Sequence, residues 1–232
     1  MQTPFILVNK IDLKNIFFLK SIKAYLSIRK YISQYYYHNY MNQKYEVLKQ
    51  LCETRKSCRN FKSEMFPEES IAKILDIAYK SPYANDRKNW EIITIKDSSV
   101  INLISKTVLT SIESISEQIE IEASELFKDY SEIFTFFEKA PVLFIPIFRI
   151  SPIIKSNLRK NITPELLLWE RDNSVKSISC VSMLMLLAAE SLGLGACYMT
   201  GPLLAGEELG QILNLAQGRL IGALIPVGYC DN

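Results

Sequence analysis

One histidine, His38, and no glycine before Gly193 set the first limits on this 232-residue chain. A Ser-His-Asp or Cys-His triad needs an imidazole, so any such triad must use His38, and zinc sites built on two or more histidines are excluded. All eight glycines lie at or beyond Gly193. The first 192 residues therefore hold no GxGxxG turn and no GxxxxGK[ST] phosphate loop, and neither pattern is completed later. That excludes an N-terminal dinucleotide fold and a P-loop NTPase. The five cysteines, Cys52, Cys58, Cys180, Cys197 and Cys230, form no CxxC pair. An odd, scattered set reads as reduced thiols, with neither a disulfide framework nor a metal cluster. No run of 18 apolar residues is present, so no membrane span is expected. Ile16–Leu19 is cut short by Lys20, too early for a signal-peptide hydrophobic region, and the expected location is the cytoplasm.

What is present is an ordinary globular composition, 48% hydrophobic and 22% charged, with the charge unevenly placed. Residues 1–40 carry six Lys/Arg against one Asp, whereas the remainder is slightly acidic. This basic segment ends in Tyr31-Ile-Ser-Gln-Tyr-Tyr-Tyr-His-Asn-Tyr40, just before Met41. Its lysines do not share a helical face and no RNA-binding motif accompanies them, so no nucleic-acid partner is expected. It reads as an extension of unknown role on a domain spanning 41–232.

Within that domain the periodicity predicts a short helix over Tyr45–Glu53 and a second one after Pro67, with Ile71, Ile74, Leu75 and Ala78 as its apolar stripe. Trp90–Ile95 and Pro141–Ile150 read as strands. Ile115, Ile119, Leu126, Tyr130 and Ile133 recur at helical spacing and predict one long amphipathic helix between Ile112 and Phe137. Val175–Leu192 reads as an apolar helix stopped by Gly193-Leu-Gly195. Ala196–Met199 is strand-like, Glu207–Asn214 a short helix and Leu220–Val227 a final strand. An α+β layer with a mixed sheet packed by helices fits this order.

Three segments can carry chemistry. Thr54-Arg-Lys-Ser-Cys-Arg-Asn-Phe61 puts three cations and a hydroxyl within five residues, a set that can gather a phosphate, although basic clusters are more often solvated surface. Ser81-Pro-Tyr-Ala-Asn-Asp-Arg-Lys-Asn-Trp90 is a polar loop entering a strand, either a ligand loop or a connector anchored by Trp90. In Ser191-Leu-Gly-Leu-Gly-Ala-Cys-Tyr-Met-Thr-Gly-Pro202, Gly201 lets the backbone approach a flat ring, or simply supplies dihedral freedom to a turn.

In order and spacing these segments resemble the nitroreductase family of FMN flavoproteins. That family opens on Arg-Arg-Ser-x-Arg-x-Phe, here Arg55-Lys-Ser-Cys-Arg-Asn-Phe61, and continues with Pro-Ser-x-x-Asn-x-Gln-Pro-Trp, here Pro82-Tyr-Ala-Asn-Asp-Arg-Lys-Asn-Trp90. A helix end with Gly-Leu-Gly follows as Ala188-Ala-Glu-Ser-Leu-Gly-Leu-Gly195, then Tyr198-Met-Thr-Gly-Pro202, and a closing strand ends in Gly228-Tyr229. The resemblance covers about residues 44–230. Asp86, Lys88 and Asn89 stand where the family has Asn, Gln and Pro.

The resemblance implies a mixed, mainly antiparallel sheet flanked by helices, a homodimer, and FMN reduced by NADH or NADPH and reoxidised by a small electron-poor acceptor in ping-pong fashion. The alternatives are a dehalogenase-like or flavin-fragmenting enzyme of the same fold, or a flavin-binding partner protein without turnover. By the resemblance, Arg55 and Ser57 hold the FMN phosphate with Lys56 nearby, and Arg59 sits toward the N1–O2 edge, where reduced flavin is negatively charged. Tyr83, Ala84, Asp86 and Lys88 lie along the ring, and the backbone N–H groups of Thr200 and Gly201 face N5. No side chain need act as nucleophile or base, and no metal is expected. Relatives add a basic residue after the Gly-Tyr strand, whereas this sequence ends at Asn232, so the implied FMN contact is loose and salt-sensitive.

Overall fold

The computed structural model describes residues 22–82, 88–149 and 163–231, and the chain divides into compact units Met1–Gln50 and Leu51–Asn232. The first described element is α1, Ile22–Thr54, a single helix of 33 residues. The short helix expected at Tyr45–Glu53 is thus the end of a much longer one. Aromatic side chains along it, among them Tyr31, Tyr37 and Tyr45, are exposed, so apolar periodicity over its length is weak.

The second unit is organised by one strand. β2, Val142–Arg149, is buried at every position but the last, as a strand covered on both faces must be. Side chains alternate across it. Val142, Phe144 and Phe148 join one core with Ile74 and Ala78 of α2 (Glu68–Ala78) and Ile178, Val181 and Met185 of the 28-residue α5 (Pro164–Ser191). Leu143, Ile145 and Ile147 join a second core with Ile101, Ile104 and Val108 of α3 (Ser98–Gln118) and with Phe137. α5 is long and apolar enough to cross a membrane by composition, but its middle is the core helix on the first face. Ile178 is fully buried there. Replacing it by alanine should cost about 2–5 kcal/mol, read as a lowered urea midpoint with an unchanged slope.

β1, Trp90–Ile95, spans the residues expected from the sequence and pairs antiparallel with β2. On the other side of β2 lie β4, Arg219–Ile221, and β5, Ile225–Gly228, both antiparallel to it. The single closing strand expected over Leu220–Val227 is therefore two. Pro146 explains the break: its carbonyl accepts from Gly222 N at 2.8 Å, but it has no N–H to return, so the ladder lapses beside it. β3, Gly195–Ala196, pairs with β5 and completes a sheet in the order β1-β2-β5-β3, with β4 beside β2. Among the described strands every pairing is antiparallel, where a mixed sheet was expected; the one parallel contact is an isolated bridge from Ser57 to Ala196, outside the strands.

The long helix expected between Ile112 and Phe137 is replaced by α3, α4 (Ile121–Ser131) and two short 3-10 turns at Glu132–Phe134 and Phe136–Lys139. α3 begins earlier than foreseen, because Asp97 accepts from Ser99 N at 2.8 Å and caps it. It ends at an extended Ile119, where Glu117, Glu120 and Glu122 put like charges within a turn of each other. Ile119, Leu126, Tyr130 and Ile133 are exposed in consequence.

The cysteine expectation also changes. Cys58 and Cys230 are joined as a disulfide across 172 residues, leaving Cys52 and Cys180 as exposed thiols and Cys197 as a buried one. Spacing in sequence gave no sign of this pair. It depends on the end of β5 lying beside the segment that leaves α1.

Candidate functional site

After Thr54 the chain leaves α1 in an extended run. Ser57 bridges to Ala196 of β3, and Cys58 N donates to Ala196 O at 3.1 Å. Further on, Lys62 N donates to Tyr229 O at 2.9 Å and Asp231 N to Asn60 O at 2.8 Å. The run is thus held between β3 and the chain end. Extended backbone sends alternate side chains to opposite sides. Alternation puts Ser57 and Arg59 on the side away from Lys56 and Cys58, and a Ser57 hydrogen bond and the charges of Arg59 and Arg55 reach the thiol of Cys197. Burial pushes that thiol above its ordinary value, while the Ser57 hydrogen bond and then the Arg59 and Arg55 charges pull it back. The thiol stays protonated at neutral pH.

Lys56 points elsewhere, into a cavity of about 590 Å³ that it lines with Lys62, Glu64, Glu190 and Cys230. The structure therefore groups Arg55, Ser57 and Arg59 and separates Lys56 from them. Among the described residues no carboxylate is ion-paired with Arg55, Lys56 or Arg59. Two guanidinium groups and a hydroxyl, with no acidic partner among the described residues, form a donor set that fits a phosphate dianion.

Thr200 follows Met199, which exchanges both backbone hydrogen bonds with Leu224 at 2.9 Å. Gly201 opens a short 3-10 turn, Gly201–Ala205. A Cβ at Gly201 would overlap the ring of Phe134, so the flat ring its backbone approaches within the chain is that of Phe134. Thr200 also lines a cleft of about 1160 Å³ with Phe148, Tyr198, Leu203, Arg171 and Arg219. Arg219 is already engaged there, donating to both carboxylate oxygens of Glu91 at 2.6 and 2.9 Å. That hydrogen bonding holds the Glu91 carboxyl below its usual range.

Tyr83, Ala84 and Asp86 lie outside the described residues. Lys88 does not, and its ammonium sits 3.5 Å from the centroid of the Tyr79 ring and 4.5 Å from that of Trp90. The two rings stack at 5.6 Å. Burial lowers the Lys88 pKa, opposed by the Glu91 charge. Trp90 is an anchor, 2% exposed, as the connector reading of this loop required. Asn89, in the place of the family's proline, uses its side-chain amide to donate to Arg149 O at 3.1 Å and Ser174 Oγ at 3.2 Å. A proline could supply neither bond.

Cys197 and Arg171 were not singled out from the sequence. Cys197 lay inside a noted segment but carried no motif; only the pairing of Ser57 with Ala196 shows what it faces.

This arrangement is that of a helix-flanked, antiparallel sheet with a cationic run at its edge. A nitroreductase family model matches residues 52–229, and the chain belongs to that family. A putative NADH dehydrogenase/NAD(P)H nitroreductase of Methanothermobacter thermautotrophicus is 31% identical over 189 residues, 80% of this chain and 78% of that protein. An iodotyrosine deiodinase of Nematostella vectensis is 29% identical over 181 residues, 75% of this chain and 64% of that protein. The chain spans only 53% of a Caenorhabditis elegans iodotyrosine dehalogenase 1 homolog. Among solved structures, a BluB-like flavoprotein from Clostridium difficile 630 superposes with a TM-score of 0.69 at 22% identity, covering 80% of this chain and 90% of that one. An iodotyrosine deiodinase bound to FMN and 3-iodo-L-tyrosine gives 0.60 at 24% identity over the same shares.

Proposed function

We propose that this protein is a cytoplasmic, homodimeric FMN-dependent oxidoreductase, which takes hydride from NADH or NADPH and delivers it to a small electron-poor acceptor such as a nitroaromatic or a quinone. The observation that carries the reading is a run, held against β3, whose Arg55, Ser57 and Arg59 all reach the Cys197 thiol and whose arginines have no carboxylate ion pair among the described residues. Bound FMN supplies the two-electron chemistry, so no side chain of the protein is needed as nucleophile or base.

The chain's own residues bind and orient. Arg55 and Ser57 hold the phosphate, and Lys56, across the run, contributes only its charge. Arg59 faces the N1–O2 edge and offsets the negative charge of the reduced ring. Tyr83, Ala84, Asp86 and Lys88 flank the ring, and the Thr200 and Gly201 amides face N5. The exposed Leu126 and Tyr130 of α4, with Ile133 just after it, are suited to contact with a second copy. Residues 1–40 are an appended segment.

Reductive dehalogenation is the second reading, favoured by the deiodinase relatives. Steady-state kinetics with NADH and a nitroaromatic should give parallel double-reciprocal lines. Release of iodide from iodotyrosine, with no turnover of nitroaromatics or quinones, would select the second reading. A protein that binds FMN but is not reduced by NADH or NADPH would instead be a flavin-binding partner.

A further inference from the structure

Cys58 and Cys230 meet where three segments cross: the run after α1, β3, and the end of β5. A Cβ at Gly195 would overlap Cys230 Sγ and both Cβ and Sγ of Cys58, so the glycine makes the room that both sulfurs occupy. The two sulfurs differ in access. Cys58 is 6% exposed, whereas Cys230 is half-buried and lines the 590 Å³ cavity. Cys58 also stands between Ser57 and Arg59, on the peptide that carries the anion-binding side chains. A bond made or broken at Cys58 therefore acts on that peptide.

We propose that Cys58–Cys230 is a thiol-exchangeable link, opened at Cys230 by a small thiol entering this cavity, and that its state sets how firmly the Arg55–Arg59 run holds an FMN phosphate. The second half of this inference rests on the flavin reading above. The exchange is balanced with a dithiol as reductant. Its thiolate attacks Cys230 Sγ, the Cys58–Cys230 bond breaks, and the electron pair leaves on Cys58 Sγ, which takes a proton from water. The reductant's second thiolate then attacks its own sulfur in the mixed disulfide and releases Cys230 as a thiolate, which is protonated in turn. Two thiols of the reductant become a disulfide, and the protein gains two thiols. An oxidised disulfide runs the sequence backward.

Opening the link leaves the backbone bonds from Cys58 N to Ala196 O, Lys62 N to Tyr229 O and Asp231 N to Asn60 O in place. The run then loosens without leaving the sheet. Cys58 acts through its neighbours and is a positioning residue.

The test uses the full chain, oxidised and dithiothreitol-reduced, with the redox state read by mass spectrometry after alkylation. Cys52 and Cys180 label in both forms; Cys230 should become labelled on reduction before Cys58. FMN and riboflavin, which lacks the phosphate, are then titrated by fluorescence quenching. Reduction should weaken FMN on the order of tenfold through lost preorganisation, and riboflavin by much less. Cys230→Ser should match the reduced protein and ignore dithiothreitol. Should that variant fail to fold, the two forms of the wild type decide alone. FMN affinities agreeing within about twofold, or equal shifts for FMN and riboflavin, overturn the inference. So does a link that dithiothreitol does not open in the folded protein. FMN binding in neither form contradicts the flavin reading itself, and the coupling with it.

Discussion

Replacing Arg55 by alanine is expected to weaken FMN binding by about 10- to 100-fold, the loss of one charge-assisted contact of roughly 1.5–3 kcal/mol. The size follows from the small number of donors. Among the described residues, Arg59 and Ser57 join Arg55 around Cys197, while Lys56 lines the other cavity. Arg59, the other guanidinium, is assigned to the N1–O2 edge of the ring, so no second fork is left for the phosphate. Arg59→Ala should behave differently, retaining most FMN while lowering the flavin's reduction potential and slowing its reduction by NADH. Parallel titrations of both variants at low and high salt separate the two roles. Loss of salt dependence in Arg55→Ala identifies a phosphate contact. An Arg55→Ala protein that holds FMN as tightly as the wild type would move the phosphate to another part of the chain.

The second large effect is expected at Gly195. An added methyl group has no space there, because Cys230 Sγ and the Cys58 side chain occupy its position. Gly195→Ala must displace the end of β5 or the run that carries Arg55. Overpacking of this kind costs about 1–3 kcal/mol. For a unit of this size that is a fall in Tm of roughly 2–12 °C, measured by calorimetry on the oxidised protein. Gly210→Ala is the control: its nearest non-neighbour is a Leu215 methyl at 3.9 Å and it lies within the helix Gly206–Ile212, so the same change should hold or raise Tm. A Gly195→Ala protein as stable as the wild type, with its disulfide intact, would show that the crossing is looser than described.

What could be read from the sequence was local. Trp90–Ile95 was legible because β-branched and aromatic residues end at Lys96-Asp97, and the second half of α5 because its apolar run stops at Gly193 in the left-handed region, φ +72°; its more polar start, from Pro164 after the Thr163 cap, was not read. The Arg55–Phe61 run was legible as a charge cluster. Its division into two sides was not, since that needs the extended backbone imposed by pairing with β3. Ile112–Phe137 misled because helical spacing persists across Ile119 and Glu120, where the helix stops. Pro146 lay inside a noted strand, but its effect falls on the partner, splitting the closing strand into β4 and β5. Cys58–Cys230 was illegible for the same reason as Cys197: each acquires its meaning from residues brought close only by the sheet.

The most direct measurement is anaerobic titration of the purified full-length protein, equilibrated with FMN, by NADH and NADPH while the flavin absorbance is followed. The account predicts one FMN bound per chain, bleaching of its visible absorbance by one or both nicotinamides, and recovery on adding a quinone or a nitroaromatic. A protein that takes up no FMN at any salt concentration, or whose bound FMN neither nicotinamide bleaches, would contradict it.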